Sequence, residues 1–124
     1  MTNKKISVVT VCYNSFDMLK ETMQNVDKQT YDNFEYIVVD GNSSDGTVDY
    51  LKNYNGKLTK YISEPDKGIY DAMNKGVKIS SGDYVIFSNA GDIFAEKEHD
   101  NFFNKIRLLP RLYYVYWYTK IRGK

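Results

Sequence analysis

Tyr84-Val-Ile-Phe87 is an unbroken apolar run that gives way to Ser88-Asn-Ala-Gly-Asp92. A continuous run of that length fits a strand buried on both faces, as in a parallel sheet. Three earlier stretches share the form. Ile6 to Cys12 is rich in β-branched residues and stops at Tyr13-Asn-Ser15. Phe34 to Val39 stops at Asp40, ahead of Gly-Asn-Ser-Ser-Asp-Gly-Thr47. Leu58 to Ile62 is shorter and stops at Ser63-Glu-Pro-Asp-Lys-Gly68, where Pro65 forbids regular pairing. Between these runs, apolar residues recur at helical spacing: Phe16, Leu19, Met23 and Val26, then Val48, Leu51 and Tyr54. A third stripe holds Ile69, Ala72, Met73, Gly76 and Val77. Ser15 is the expected N-cap of the first helix, and Ser44 or Asp45 of the second. Gly82 is the expected left-handed cap of the third. Gly41 and Gly46 suit backbone geometries that other residues resist.

Alternating buried strands and helices require a mostly parallel sheet with helices on both faces. The expected fold is therefore α/β, a Rossmann-like half domain. Beyond Asp92, a helix is expected from Ala95 to Leu109, with acids early and bases late, as the helix dipole favours. Pro110 ends it. Leu112 to Tyr118 reads as a fifth strand, and 110–124 as an atypical aromatic and basic tail.

At 124 residues the chain suffices for one small domain. A net charge of +1 gives no polyanion-binding signature, so nucleic acid is disfavoured as a partner. Cys12 lies inside an apolar run and reads as a buried, inert thiol. With one histidine, His99, and one cysteine, no zinc-type cluster exists. No stretch approaches the roughly 20 apolar residues of a membrane span.

In a parallel sheet the polar loops after the strands share one edge, and ligands bind there. Asp40, Asp45, Asp66, Lys67 and Asp92 are thus expected to converge. Loops are commonly built of Asp, Asn, Ser and Gly for turn chemistry alone. Four polar loops on one edge, three of them acidic, favour a site over that plainer reading. No Gly-x-Gly-x-x-Gly or Walker A motif is present, so phosphate would be held by a metal and Lys67 rather than by a glycine nest.

Val9-Thr-Val-Cys-Tyr-Asn14, Val39-Asp-Gly-Asn-Ser-Ser-Asp-Gly-Thr47, Ser63 to Gly76 and Ser81 to Asp92 together resemble the nucleotide-binding half of glycosyltransferase family 2, which has the GT-A fold. The likeness runs from Ile6 to Phe94 and is nearest to enzymes of bacterial surface polysaccharide synthesis. It implies an inverting transferase that takes a nucleotide-diphospho-sugar, of UDP type, with Mg2+ or Mn2+. By resemblance, Tyr13 packs on the base and Asp40 bonds uracil or ribose. Lys67 and its neighbours approach the diphosphate, and Val11, Asn14, Asp45 and Asp66 complete the nucleotide set. The family's Asp-x-Asp element reads Asn89-Ala-Gly-Asp92 here, which makes Asp92 the expected metal ligand with Asn89 beside it. The catalytic base is expected in an acceptor-binding half beyond Lys124, so the domain is expected to be truncated. A glycan or lipid-linked acceptor, a cytoplasmic location at the inner face of the membrane, and an open question of homo-oligomerisation complete the expectation. A non-catalytic nucleotide-binding module is the alternative. A sugar nucleotidyltransferase is disfavoured, because Tyr13-Asn-Ser-Phe-Asp17 is not a glycine-rich basic loop.

Overall fold

The computed structural model describes residues 5–29 and 32–90. The elements run β1 (Ile6–Cys12), α1 (Phe16–Asp27), β2 (Phe34–Asp40), α2 (Thr47–Lys52), β3 (Lys60–Ser63), α3 (Ile69–Ile79) and β4 (Tyr84–Phe87). The four strands form one sheet in the order β3-β2-β1-β4, and every pairing is parallel. Right-handed crossovers put α1 and α2 on one face and α3 on the other. The winding reverses between β1 and β4. The expected α/β sheet is present; the helix over 95–109 and the strand over 112–118 lie outside the described residues.

β1 and β4 are buried along their whole length, and β2 from Glu35 onward. Ile6, Tyr36, Ile37, Ile86, Leu19 and Met23 are fully enclosed. Burial of an aliphatic or aromatic side chain of this size contributes about 2 kcal/mol. α3 approaches the sheet closely because Gly76 has no Cβ. One added there would strike Val9 and lie 3.4 Å from Val39. On the opposite face, the Phe16 and Tyr50 rings meet edge to face with centroids 5.3 Å apart, joining α1 to α2.

Several local expectations change. β3 starts two residues later than the apolar pattern indicates. The Thr59 side-chain oxygen accepts the Tyr36 N–H at 2.9 Å while the Thr59 N–H donates to the Tyr36 carbonyl at 2.8 Å, and the regular register begins only at Lys60. Ser15 occupies the N-cap position of α1, but its hydroxyl donates back to the Tyr13 carbonyl. The capping is done from another loop, where Asp45 accepts the Phe16 N–H at 3.0 Å. Gly46 does adopt positive φ (+95°), whereas Gly82 caps nothing. Gly82 is required for space, since a Cβ would lie 2.6 Å from Ser7 Oγ and 2.9 Å from the Lys5 carbonyl. The buried stripe of α3 narrows to Ala72, Met73 and Gly76, with Ile69 and Val77 exposed.

The edge of the sheet at the strand starts is closed by one buried acid. Glu35 is 4% exposed. It accepts the Ser7 hydroxyl at 2.6 Å, the Ser81 N–H at 2.6 Å and the Ser81 hydroxyl at 3.1 Å. Lys5 and Lys60 each stand 3.7 Å away. Burial raises the carboxyl pKa, but the hydrogen bonds from Ser7 and Ser81 and the Lys60 charge outweigh it. The net shift is below the ordinary 4.5. The stabilisation is therefore complete above the unfolded-state value and drains away as pH falls through the lower folded-state value. Glu35→Ala is expected to cost about 3 kcal/mol in urea unfolding at pH 7. Glu35→Gln should flatten the loss of stability that the parent shows on acidification below pH 4.5. An unchanged acid limb would contradict this role.

Candidate functional site

The loops that follow β1 and β2 are joined by a dense set of hydrogen bonds. Asn14 sits at φ +49°, a left-handed conformation that asparagine tolerates. Its N–H donates to Ser43 Oγ at 2.8 Å, and its Oδ1 accepts the Ser44 N–H at 2.9 Å. Asp45 holds the Phe16 N–H with one oxygen, and the Thr47 hydroxyl and N–H with the other. The Thr47 hydroxyl, helped by the backbone N–H groups of Phe16 and Thr47, holds its carboxyl below the usual range against the opposing effect of desolvation.

Asp40 lies at the centre of this set and is fully buried. Its carboxylate accepts from the Ser43 N–H (2.9 Å), the Ser43 hydroxyl, the Ser63 hydroxyl (2.8 Å) and the Cys12 thiol (3.4 Å). Its backbone carbonyl accepts the Glu64 N–H at 3.0 Å. One side chain thus ties the ends of β1, β2 and β3 together. Burial first, and then the Asp40 charge, push the Cys12 thiol well above its ordinary value. The expected inert thiol is what the structure holds: it remains a donor.

Beside this cluster, between the ends of β1 and β4, opens a cavity of about 360 Å³. Val11, Cys12 and Tyr13 form one wall, Asn89 and Ala90 another, and Asp66, Gly68, Ile69 and Ala72 at the start of α3 the third. In doubly wound sheets the crevice forms where the winding reverses. The β1–β4 boundary is that point. Tyr13 is 61% exposed, so its ring is available at the mouth. Gly41 lies beneath it and is required by close approach, not by φ. A Cβ there would lie 2.9 Å from Asp66 Oδ2 and 3.3 Å from Tyr13 Cδ1. Asp66 accepts the Gly68 N–H at 3.0 Å, which shapes the turn into α3. The backbone beyond β4 stays fixed to β1: the Ser88 N–H donates to the Val9 carbonyl, and the Ala90 N–H to the Val11 carbonyl.

The expected convergence of acids is therefore only partly met. Val11, Tyr13, Asp66 and Asn89 border the cavity. Asp40, Asn14 and Asp45 hold the loops behind it. The Lys67 side chain is exposed and does not line the cavity, and its N–H donates to Asp71 at 2.9 Å. Asp92 lies outside the described residues. Ile69 and Ala72 also border the cavity, beyond the packing stripe that their spacing indicates; the signal for it is their place at the first turn of α3, next to the switch point. Among the described residues no three His, Cys, Asp or Glu side chains converge on a metal position. The cavity supplies one carboxylate, Asp66, and one amide, Asn89. A metal that bridges a diphosphate needs only one or two protein carboxylates. The described residues fit part of such a donor set and do not complete it.

The family model for glycosyl transferase family 2 matches residues 7–124. The chain belongs to glycosyltransferase family 2. Ninety-one residues are 41% identical to an uncharacterized glycosyltransferase of Mycobacterium tuberculosis, covering 73% of this chain and 35% of the relative. A PGL/p-HBAD biosynthesis glycosyltransferase of Mycobacterium bovis is 30% identical over 101 residues, 79% of this chain and 40% of that one. The chain thus spans about a third of the length of the first of these relatives. Among solved structures, S. aureus TarS (residues 1–349) in complex with UDP-GlcNAc matches with a TM-score of 0.71 at 27% identity, over 83% of this chain and 30% of that one. The mannosyltransferase PcManGT from Pyrobaculum calidifontis, in complex with GDP-Man and Mn2+, shares the fold with a TM-score of 0.70 at 22% identity, over 79% and 30%. The GT-A family fold expected from the four loops is the fold observed. No helix among the described residues is long and apolar enough to cross a membrane.

Asp40→Ala would leave two hydroxyls, one N–H and a thiol without their acceptor. The expected cost is about 3 kcal/mol, read as a lower denaturant midpoint with no change of slope. A variant as stable as the parent would show that the loops do not depend on this carboxylate.

Proposed function

We propose that this chain is the donor-binding part of an inverting glycosyltransferase. In this reading it holds a nucleotide-diphospho-sugar of UDP type in the cavity between β1 and β4. The observation that carries the reading is the position of that cavity. It lies at the winding reversal, with an exposed aromatic ring on one side and the start of α3 on the other. Tyr13 offers its face to the base, since base–aromatic stacking is worth about 1–3 kcal/mol. Asp66, beside Gly41, is placed to accept ribose hydroxyls. Because Asp40 is saturated by its own loops, its part in base binding is to hold Tyr13 and Gly41 in place. Asn89, with Asp92 after it, approaches the diphosphate, and Lys67 adds positive charge nearby.

The reaction in this reading is an in-line displacement. An acceptor hydroxyl forms a bond to the anomeric carbon as the bond to the diphosphate breaks, and its proton passes to a carboxylate base. Mg2+ or Mn2+, held by Asp92 with Asn89, would neutralise charge on the departing diphosphate. UDP-GlcNAc in TarS supports a uridine donor, and Mn2+ in PcManGT supports a divalent metal. The acceptor we propose is a glycan or a lipid-linked sugar of a bacterial surface polysaccharide, met in the cytoplasm at the inner face of the membrane.

A second reading is that the chain binds donor without completing transfer. It is favoured by one observation: Asp66, the carboxylate that borders the cavity among the described residues, already accepts the Gly68 N–H. Sugar transfer catalysed by the chain itself would overturn this second reading.

Calorimetry with UDP, with and without Mn2+, tests the first. Binding is expected, and Tyr13→Ala should weaken it about tenfold with the fold intact. Asp92→Ala should abolish the gain from metal and leave uridine binding unchanged. No detectable binding of UDP with metal present would refute the proposal.

A further inference from the structure

Two polar side chains in the middle of the sheet have no part in the cavity wall or in either edge cluster. Thr10 and Tyr36 are both fully buried on the face covered by α1 and α2. Their neighbours Val8, Val38 and Ile86 are apolar and equally buried. A valine at position 10 would fill the same volume as threonine, so the hydroxyl needs another explanation. Thr10 Oγ1 donates to the Ser88 carbonyl at 2.6 Å. Tyr36 Oη lies 2.7 Å from the same Oγ1. A threonine hydroxyl has one proton, and a carbonyl only accepts. Tyr36 must therefore be the donor to Thr10. The hydrogen bonds run in one direction, from Tyr36 on β2 through Thr10 on β1 to Ser88 beyond β4.

Ser88 is the last residue before the cavity wall of Asn89 and Ala90. Its carbonyl is held by Thr10, and the N–H groups on either side, of Ser88 and Ala90, are held by the Val9 and Val11 carbonyls. We propose that Thr10, oriented by Tyr36, is a positioning residue that sets the place of the Ser88–Ala90 segment, and through Asn89 the affinity of the site for a diphosphate. The ligand part of this inference rests on the donor-binding reading above; the positioning part does not.

The test uses the full chain and four variants: Thr10→Val, Thr10→Ser, Tyr36→Phe, and Thr10→Val combined with Tyr36→Phe. Amide hydrogen exchange reads the segment itself. Thr10→Val should speed exchange at Ala90 about tenfold, the size of one lost hydrogen bond, while the β1–β2 amides stay unchanged. Thr10→Ser keeps the hydroxyl and should restore parent exchange. Calorimetry reads the ligand. Thr10→Val should weaken UDP with Mn2+ about tenfold and leave uridine alone within about twofold, a split that general loosening of the fold would not produce. Tyr36→Phe should act in the same direction at about threefold and add little in the double variant, because it acts through Thr10. Ala90 exchange unaltered by Thr10→Val would overturn the proposal. So would equal losses for UDP and uridine. If the parent chain binds no UDP while Thr10→Val still loosens Ala90, the donor-binding reading fails and the positioning role stands.

Discussion

A carboxylate fully removed from water must be compensated by donors, or the fold carries several kcal/mol of lost hydration. Asp40 meets that condition with four donors from three different segments. The constraint works in both directions. The loops after β1 and β2 and the end of β3 can hold their shapes because Asp40 anchors them. Asp40 can stay buried only because all three are present. Tyr13 and Gly41 are placed by this arrangement, and with them the wall of the cavity that Asp66 approaches.

Glu35 plays a related part at the other end of the sheet, with serine donors and two lysines instead of a thiol. Between the two acids the strands are nearly all apolar, and Thr10 and Tyr36 are the central exceptions. The sheet is thus an apolar body fixed at both edges by buried carboxylates. Strands held at both ends in this way suit a site whose walls come from separate strand ends. The family fold supplies the crevice, and these local hydrogen bonds decide which side chains face it.

The strands, the helices between them and the ligand edge were legible in the sequence, because apolar runs and helical spacing report burial directly. The orientation of each acid was not. Successive strand residues point to opposite faces, so one position decides whether a side chain faces α3 or α1 and α2. Val39 approaches Gly76 of α3. Asp40, one residue later, turns to the other face and bonds Cys12, and it is not among the residues that line the cavity. The sequence places Asp45 as a cap of the helix that follows it. It also caps α1, twenty-nine residues away in sequence, a contact that only tertiary structure creates. The later start of β3 has a similar origin, since the Thr59 side-chain oxygen takes up the Tyr36 N–H. A helix-terminal glycine usually signals conformation, but Gly82 signals space.

The crevice at the β1–β4 reversal is the proposed seat of a nucleoside diphosphate. Two-dimensional amide NMR of the chain, titrated with UDP and Mg2+, tests it residue by residue. The largest shifts are expected at Val11 to Tyr13, Asp66 to Ile69, and Asn89 and Ala90, with Ser7, Glu35 and Ser81 at the opposite edge unmoved. Shifts confined to the Phe16, Tyr50 and Tyr54 surface, or no shift at saturating UDP, would contradict it.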